Sequence, residues 1–148
     1  MNEGTRHGVR HRRLLNLWSQ EPGSPDEAAR AFRELYTDPV VVNGTPLTVA
    51  DLVARGAALR ETLTDLHREI LDVCESGDKV AVAFRMSGRQ TGVLATAAGP
   101  LAPTGREITL RVIDILTLTD GRISSLWMVA DEMGALAAVD AVRLVDLA

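Results

Sequence analysis

Thr109 to Asp131 reads TLRVIDILTLTDGRISSLWMVAD, two β-branched, largely apolar runs on either side of Asp120-Gly121. That dipeptide suits a two-residue type I′ hairpin turn, because both central positions need positive φ. With the turn centred there, Thr119 faces Arg122, Leu118 faces Ile123, Leu116 faces Ser125, Asp114 faces Trp127, Val112 faces Val129 and Leu110 faces Asp131. Asp114 and Asp131 then share one strand face with Leu110, Val112, Leu116, Trp127 and Val129. A carboxylate on an apolar face is costly to bury unless it is paired, hydrogen-bonded or protonated. This face is the candidate active cavity.

Each acid also has a plainer reading. Asp114 can be a hydrogen-bonded structural group, and Asp131 can cap the helix that Glu132-Met133-Gly134-Ala135-Leu136 begins. The opposite face of the hairpin, with Ile113, Ile115, Leu126, Met128 and Ala130, is apolar as well. A one-sided antiparallel sheet should be wet there, so a homodimer through that outer face is expected.

Working outward, the Gly99–Arg106 loop, GPLAPTGR, feeds this hairpin. A second hairpin joins His67–Cys74 to Lys79–Gly88 through Ser76-Gly77-Asp78, with Val80, Val82, Phe84 and Met86 alternating against Ala81, Ala83, Arg85 and Ser87. Three helices are expected upstream. Arg12–Gln20 carries Leu14, Leu15, Leu17 and Trp18 and stops at Glu21-Pro22-Gly23. Ser24-Pro25-Asp26-Glu27 opens a helix that runs to about Tyr36, and Thr48 with Asp51 opens a third after the short strand Val40-Val41-Val42 and Asn43-Gly44. Helices first and strands afterwards mean an α+β domain with the helices over one face of a mainly antiparallel sheet.

Composition narrows the partners. The 148 residues fit one domain, expected over 14–148, and the net charge of -4 argues against a nucleic-acid protein. Residues 1–13 hold the one basic patch, Arg6, Arg10, Arg12 and Arg13 with His7 and His11, and are expected to form a solvated, poorly ordered tail. The single Cys74 permits no internal disulfide, and three histidines assemble no usual zinc spacing, so no metal is expected. Apolar runs fall short of the ~20 residues a membrane span needs, which makes a cytoplasmic address the default expectation.

Several short motifs occur in a telling order: Leu35-Tyr36-Thr37-Asp38-Pro39-Val40-Val41-Val42-Asn43, Gly77-Asp78-Lys79-Val80, Gly88-Arg89-Gln90-Thr91-Gly92, Pro103-Thr104-Gly105-Arg106, Asp120-Gly121-Arg122-Ile123, and Trp127 with Asp131. Over roughly residues 24 to 142 the chain resembles the SnoaL-like polyketide cyclases, of the nuclear transport factor 2-like superfamily. The resemblance implies a cone-shaped α+β barrel, sheet-to-sheet dimers and a small-molecule substrate, and an acid/base pair of the kind read above needs no cofactor. It implies that Asp131 is the acid/base residue, that Asn43 lines the cavity, and that Gln90 stands where the family commonly has histidine. Val112-Ile113-Asp114-Ile115 is similar to ketosteroid isomerases, where the strand aspartate stays protonated and donates to an oxyanion. The first helix has no tyrosine to complete that oxyanion hole.

Together these readings name Asp131 as base and Asp114 as protonated acid, with Asn43, Trp127, Gln90, Trp18, Val112 and Val129 as substrate-binding residues. The reaction expected is an aldol-type cyclisation of an apolar carbonyl compound. A proton-transfer isomerase and a non-catalytic binding protein of the same fold are the alternatives.

Overall fold

Capping chemistry places the helices. The structure, a computed structural model, describes residues 13–19 and 23–147. Residues 13–19 form α1; the rest of the expected Arg12–Gln20 helix, and the tail apart from Arg13, lie outside the described residues. Ser24 Oγ accepts the Glu27 N–H and the Glu27 carboxylate accepts the Ser24 N–H, so α2 (Pro25–Leu35) opens on a reciprocal cap. Thr48 and Asp51 repeat the arrangement at α3 (Val49–Thr62), and Asp131 caps α4 (Glu132–Ala138). Asp38, beside the cis Asp38–Pro39 peptide, accepts the Val49 N–H at 3.1 Å and thereby ties the first strand to α3.

The strands are β1 (Tyr36–Val42), β2 (Thr45–Leu47), β3 (Leu63–Ser76), β4 (Lys79–Gln90), β5 (Leu94–Thr96), β6 (Gly99–Leu101), β7 (Glu107–Thr119) and β8 (Arg122–Ala130). Six of them form a curved, unclosed sheet in the order β2-β1-β8-β7-β4-β3, and β5 pairs with β6. The architecture is the expected α+β cone. A short strand before α3 is as expected, but β1 is longer than Val40-Val41-Val42, is joined by β2 and inserts parallel to β8, so the sheet is mixed. Every other pairing is antiparallel. Leu14, Leu15, Phe32 and Leu52 from the helices pack with Val80, Val82, Phe84, Met86, Val112 and Leu116, so the helices cover the concave face.

The central hairpin departs from simple pairing. Its turn is as expected: Asp120 and Gly121 have φ of 51° and 78°, Thr119 faces Arg122 and Leu118 faces Ile123. Beyond that, Thr117 pairs with Ser125, leaving Ser124 as an extra residue whose hydroxyl bonds Thr119 Oγ1 at 2.8 Å and the Thr117 carbonyl at 3.3 Å. This bulge lets Ile123 and Leu126, three residues apart, both turn into the core. Because side chains alternate, the one-residue slip carries every later residue of β8 to the other face. Asp114 therefore faces Met128, Ile113 faces Val129 and Ile115 faces Trp127.

Candidate functional site

The slip redraws the site. Trp127 and Val129, expected beside Asp114, stand on the convex face at 61 % and 73 % exposure, while Leu126 and Met128, expected outside, turn inward with Ala130. Asp114 and Asp131 do not share a face. The Asp131 backbone pairs with Arg111, which leaves the sheet opposite to Asp114, and both of its carboxylate oxygens are engaged. Oδ1 accepts the Gly134 N–H at 2.9 Å, and Oδ2 accepts from Arg111 Nη2 at 2.7 Å. The Arg111 hydrogen bond, followed by the Gly134 N–H, holds the Asp131 carboxyl below the usual carboxylate range.

Asn43 and Gln90 also serve the frame. Asn43 occupies an exposed turn with φ of 50°, its Oδ1 accepts the Met128 N–H at 2.8 Å, and its own N–H donates to the Leu126 carbonyl. Gln90 is fully buried: its Nε2 donates to the carbonyls of Gly92, Leu101 and Ala102, and its Oε1 accepts from the Thr104 N–H and hydroxyl. Val112 is a core residue of the concave face. Gln90→Ala leaves these buried partners without their amide and is expected to cost about 3 kcal/mol, measurable by urea denaturation.

What remains on the concave side is a polar group that the elements assemble. Asp114 projects from β7, half-buried, and its Oδ1 is enclosed without a hydrogen-bond partner among the described residues. Burial is the main cause that pushes its pKa up to about 6, against the opposing attraction of Arg68. Arg68 reaches the same side from β3, where it pairs with inward-facing Met86, and its Nη1 donates to Ser19 Oγ at 2.7 Å. Burial, only partly offset by Tyr36 and Asp114, lowers Arg68 to about 10. Tyr36, the C-cap of α2, is buried, and its hydroxyl accepts from Trp18 Nε1 at 2.9 Å. Burial raises its pKa, so it is a neutral phenol at physiological pH.

Aromatic packing fixes the group. Phe32 lies edge-on to Trp18 at 5.1 Å and stacks on Tyr36 at 5.9 Å, which locks α1 and α2 over the head of β1. Trp18 is thus the one expected aromatic that the structure keeps near Asp114, through Tyr36. Met128 shares the concave face beside Asp114 yet is 42 % exposed, so solvent reaches this face there. Arg68 and Tyr36 were missed in the sequence. A parity reading of Leu66, Arg68 and Ile70 marks an arginine among inward apolar residues, whereas Tyr36 reads only as a helix end.

The group can move a proton and stabilise a developing charge. At pH 7 an acid with pKa near 6 is ionised about ten to one, which suits a base more than a hydrogen-bond-donating acid. Among the described residues no set of three His, Cys, Asp or Glu side chains is placed to hold a metal ion, and no helix is long and apolar enough to cross a membrane.

Known structures share this arrangement of elements. TsrD from Streptomyces laurentii superposes with a TM-score of 0.77 at 18% identity, covering 96% of this chain and 99% of that one. A SnoaL-like polyketide cyclase from Agrobacterium tumefaciens gives 0.70 at 15% identity, covering 88% and 94%. No curated protein matches the chain significantly. The family model described as SnoaL-like polyketide cyclase matches residues 9–139. The chain belongs to the SnoaL-like polyketide cyclase family.

Proposed function

We propose that the protein is a cyclase that closes a ring in a polyketide-like or other apolar carbonyl compound by aldol-type chemistry, with Asp114 as its acid/base residue. The observation that carries this reading is the half-buried Asp114 carboxylate, whose Oδ1 has no hydrogen-bond partner among the described residues and whose pKa burial pushes up to about 6. A base is most effective when its pKa lies near the working pH. Asp114 takes a proton from carbon between carbonyls, the electron pair moves to oxygen, and the resulting enolate carbon attacks a second carbonyl of the same molecule. The new alkoxide takes the proton back from Asp114. Atoms and charge balance without a cofactor, and confinement between helices and sheet favours the attack geometry.

This reading drops two parts of the expectation from sequence. Asp131 is bound at both oxygens away from Asp114, and Asp114, its pKa raised by burial to about 6, takes the part of the base rather than that of the protonated acid. Asp131→Asn is therefore expected to retain turnover and, since asparagine caps as well as aspartate, most of the stability. Asp131→Ala is expected to lose about 1 kcal/mol by thermal denaturation. The function itself is tested by incubating the protein with a linear tetracarbonyl compound and following products by liquid chromatography and mass spectrometry. A cyclic isomer, or its dehydrated form, supports the reading; unchanged substrate with tight retention on the protein favours a binding role.

We further infer a homodimer through the convex face, corrected in its residues. Ile113 and Ile115 lie directly across from Val129 and Trp127, with Val41 on β1, and all are exposed in the single chain. A contiguous apolar patch of this kind marks an interaction surface, and a two-fold partner presenting the same patch covers it. The free, exposed Cys74 suits a reducing compartment, the cytoplasm.

A further inference from the structure

We propose that Arg68 is the oxyanion-binding group of this site: the guanidinium N–H groups not bound to Ser19 hold the enolate or carboxylate oxygen of a substrate lying between Arg68 and Asp114. The inference rests on the reading of Asp114 as base, and it names the chemistry the site selects, a carbonyl compound that bears an anionic oxygen.

Four observations converge on it. First, Arg68 leaves β3 on the concave face, beside Met86 and over Phe84, where a permanent cation is costly unless it is compensated. Second, its one side-chain hydrogen bond among the described residues is to the neutral Ser19 hydroxyl, so donors of its planar fork stay available. Third, the guanidinium carbon sits 5.9 Å from the centre of the Phe84 ring, and this contact together with Ser19 sets the direction in which the free donors point. Fourth, the natural ion-pair partner is at hand but not used: Asp114 feels the Arg68 charge, yet among the described residues the Arg68 side chain bonds Ser19 and not Asp114. A cation and a carboxylate on one face that do not pair can each engage one end of a bridging molecule.

The chemistry of enolisation fits that gap. As the C–H proton passes to Asp114, negative charge builds on the carbonyl oxygen, and a preorganised guanidinium aimed at that oxygen stabilises the charge where it forms. An enolised 1,3-dicarbonyl offers two oxygens, a match for the bidentate fork. When the ring closes, the charge moves to the alkoxide and is cancelled by the returning proton.

The test uses 4-nitrophenol, whose phenolate absorbs near the visible and mimics an enolate oxygen. Bound to the unaltered protein at a slightly acidic pH, it is expected to ionise more than in buffer, with a red-shifted band that saturates with protein. Arg68→Met is expected to lose about 10- to 100-fold in affinity for the phenolate and to lose the band. Arg68→Lys, which keeps charge without the fork, is expected to fall between them, and it remains informative should the methionine variant fold poorly. Asp114→Asn is expected to bind the phenolate at least as well as the unaltered protein, since it removes a like charge. No ionised probe on the unaltered protein, or equal binding by the Arg68 variants, overturns the proposal. Phenolate binding that depends on Arg68, in a protein whose Asp114→Asn variant still turns over, upholds Arg68 and sinks Asp114 as the base.

Discussion

Asp114→Asn is expected to slow any enolisation or ring closure by about 100- to 10,000-fold, and at the same time to stabilise the fold at pH 8. The two effects have one cause. Burial raises the folded-state pKa of Asp114 from 3.8 to about 6, so the folded chain holds a proton between those values that the unfolded chain releases. Stability contributed by that proton is present below pH 3.8, declines as pH rises through the window, and is gone above about 6. Asparagine does not ionise and avoids the cost; after allowance for partial solvation the gain is about 1–2 kcal/mol at pH 8 and nil near pH 3. Thermal melts at the two pH values check the sign. An Asn variant less stable at pH 8 would mean that Asp114 is a paired structural acid, the plainer reading of this residue.

The second large effect concerns assembly. Trp127→Arg, or Val129→Glu, is expected to turn the proposed homodimer into a monomer, since each places a charge at the centre of the apolar patch formed with Ile113 and Ile115. A buried tryptophan at an interface centre is commonly worth about 2 kcal/mol or more, over tenfold in Kd, and an unpaired charge costs more. Light scattering at micromolar concentration should give about twice the 15.9 kDa of one chain for the unaltered protein and the single mass for the variants. The single mass for the unaltered protein would defeat the dimer. Leu126 faces inward and is buried, so a substitution there tests the core instead.

Local signals are legible in this chain, and non-local ones are not. Ser24 with Glu27 and Thr48 with Asp51 announce helix starts because the bonds they make lie within one turn. Asp120-Gly121 fixes a turn because its positive φ values are a property of the dipeptide. The bulge at Ser124 is different, since the advantage of bringing both Ile123 and Leu126 into the core is a tertiary matter that strict alternation hides. That single residue moved Trp127, Val129 and Asp131 away from Asp114. The parallel insertion of β1 beside β8 joins segments far apart in sequence and leaves no local mark, and with it goes the position of Tyr36. Gln90, read as a stand-in for a cavity histidine, holds the 99–105 loop with an amide that donates and accepts, a duty no spacing reveals.

Asp114 as an interior base is the centre of the proposed mechanism, and proton abstraction from carbon can be observed without knowing the natural substrate. Incubated in heavy water with 2-tetralone, an apolar ketone with acidic α-protons, the protein should accelerate deuterium incorporation at the α-carbon, followed by proton NMR. The enzymatic rate should rise with pH to a plateau, with its midpoint near 6, as Asp114 ionises. Asp114→Asn should exchange no faster than buffer, while Asp131→Asn should match the unaltered protein. Exchange that survives in Asp114→Asn, or that disappears in Asp131→Asn, would contradict the account.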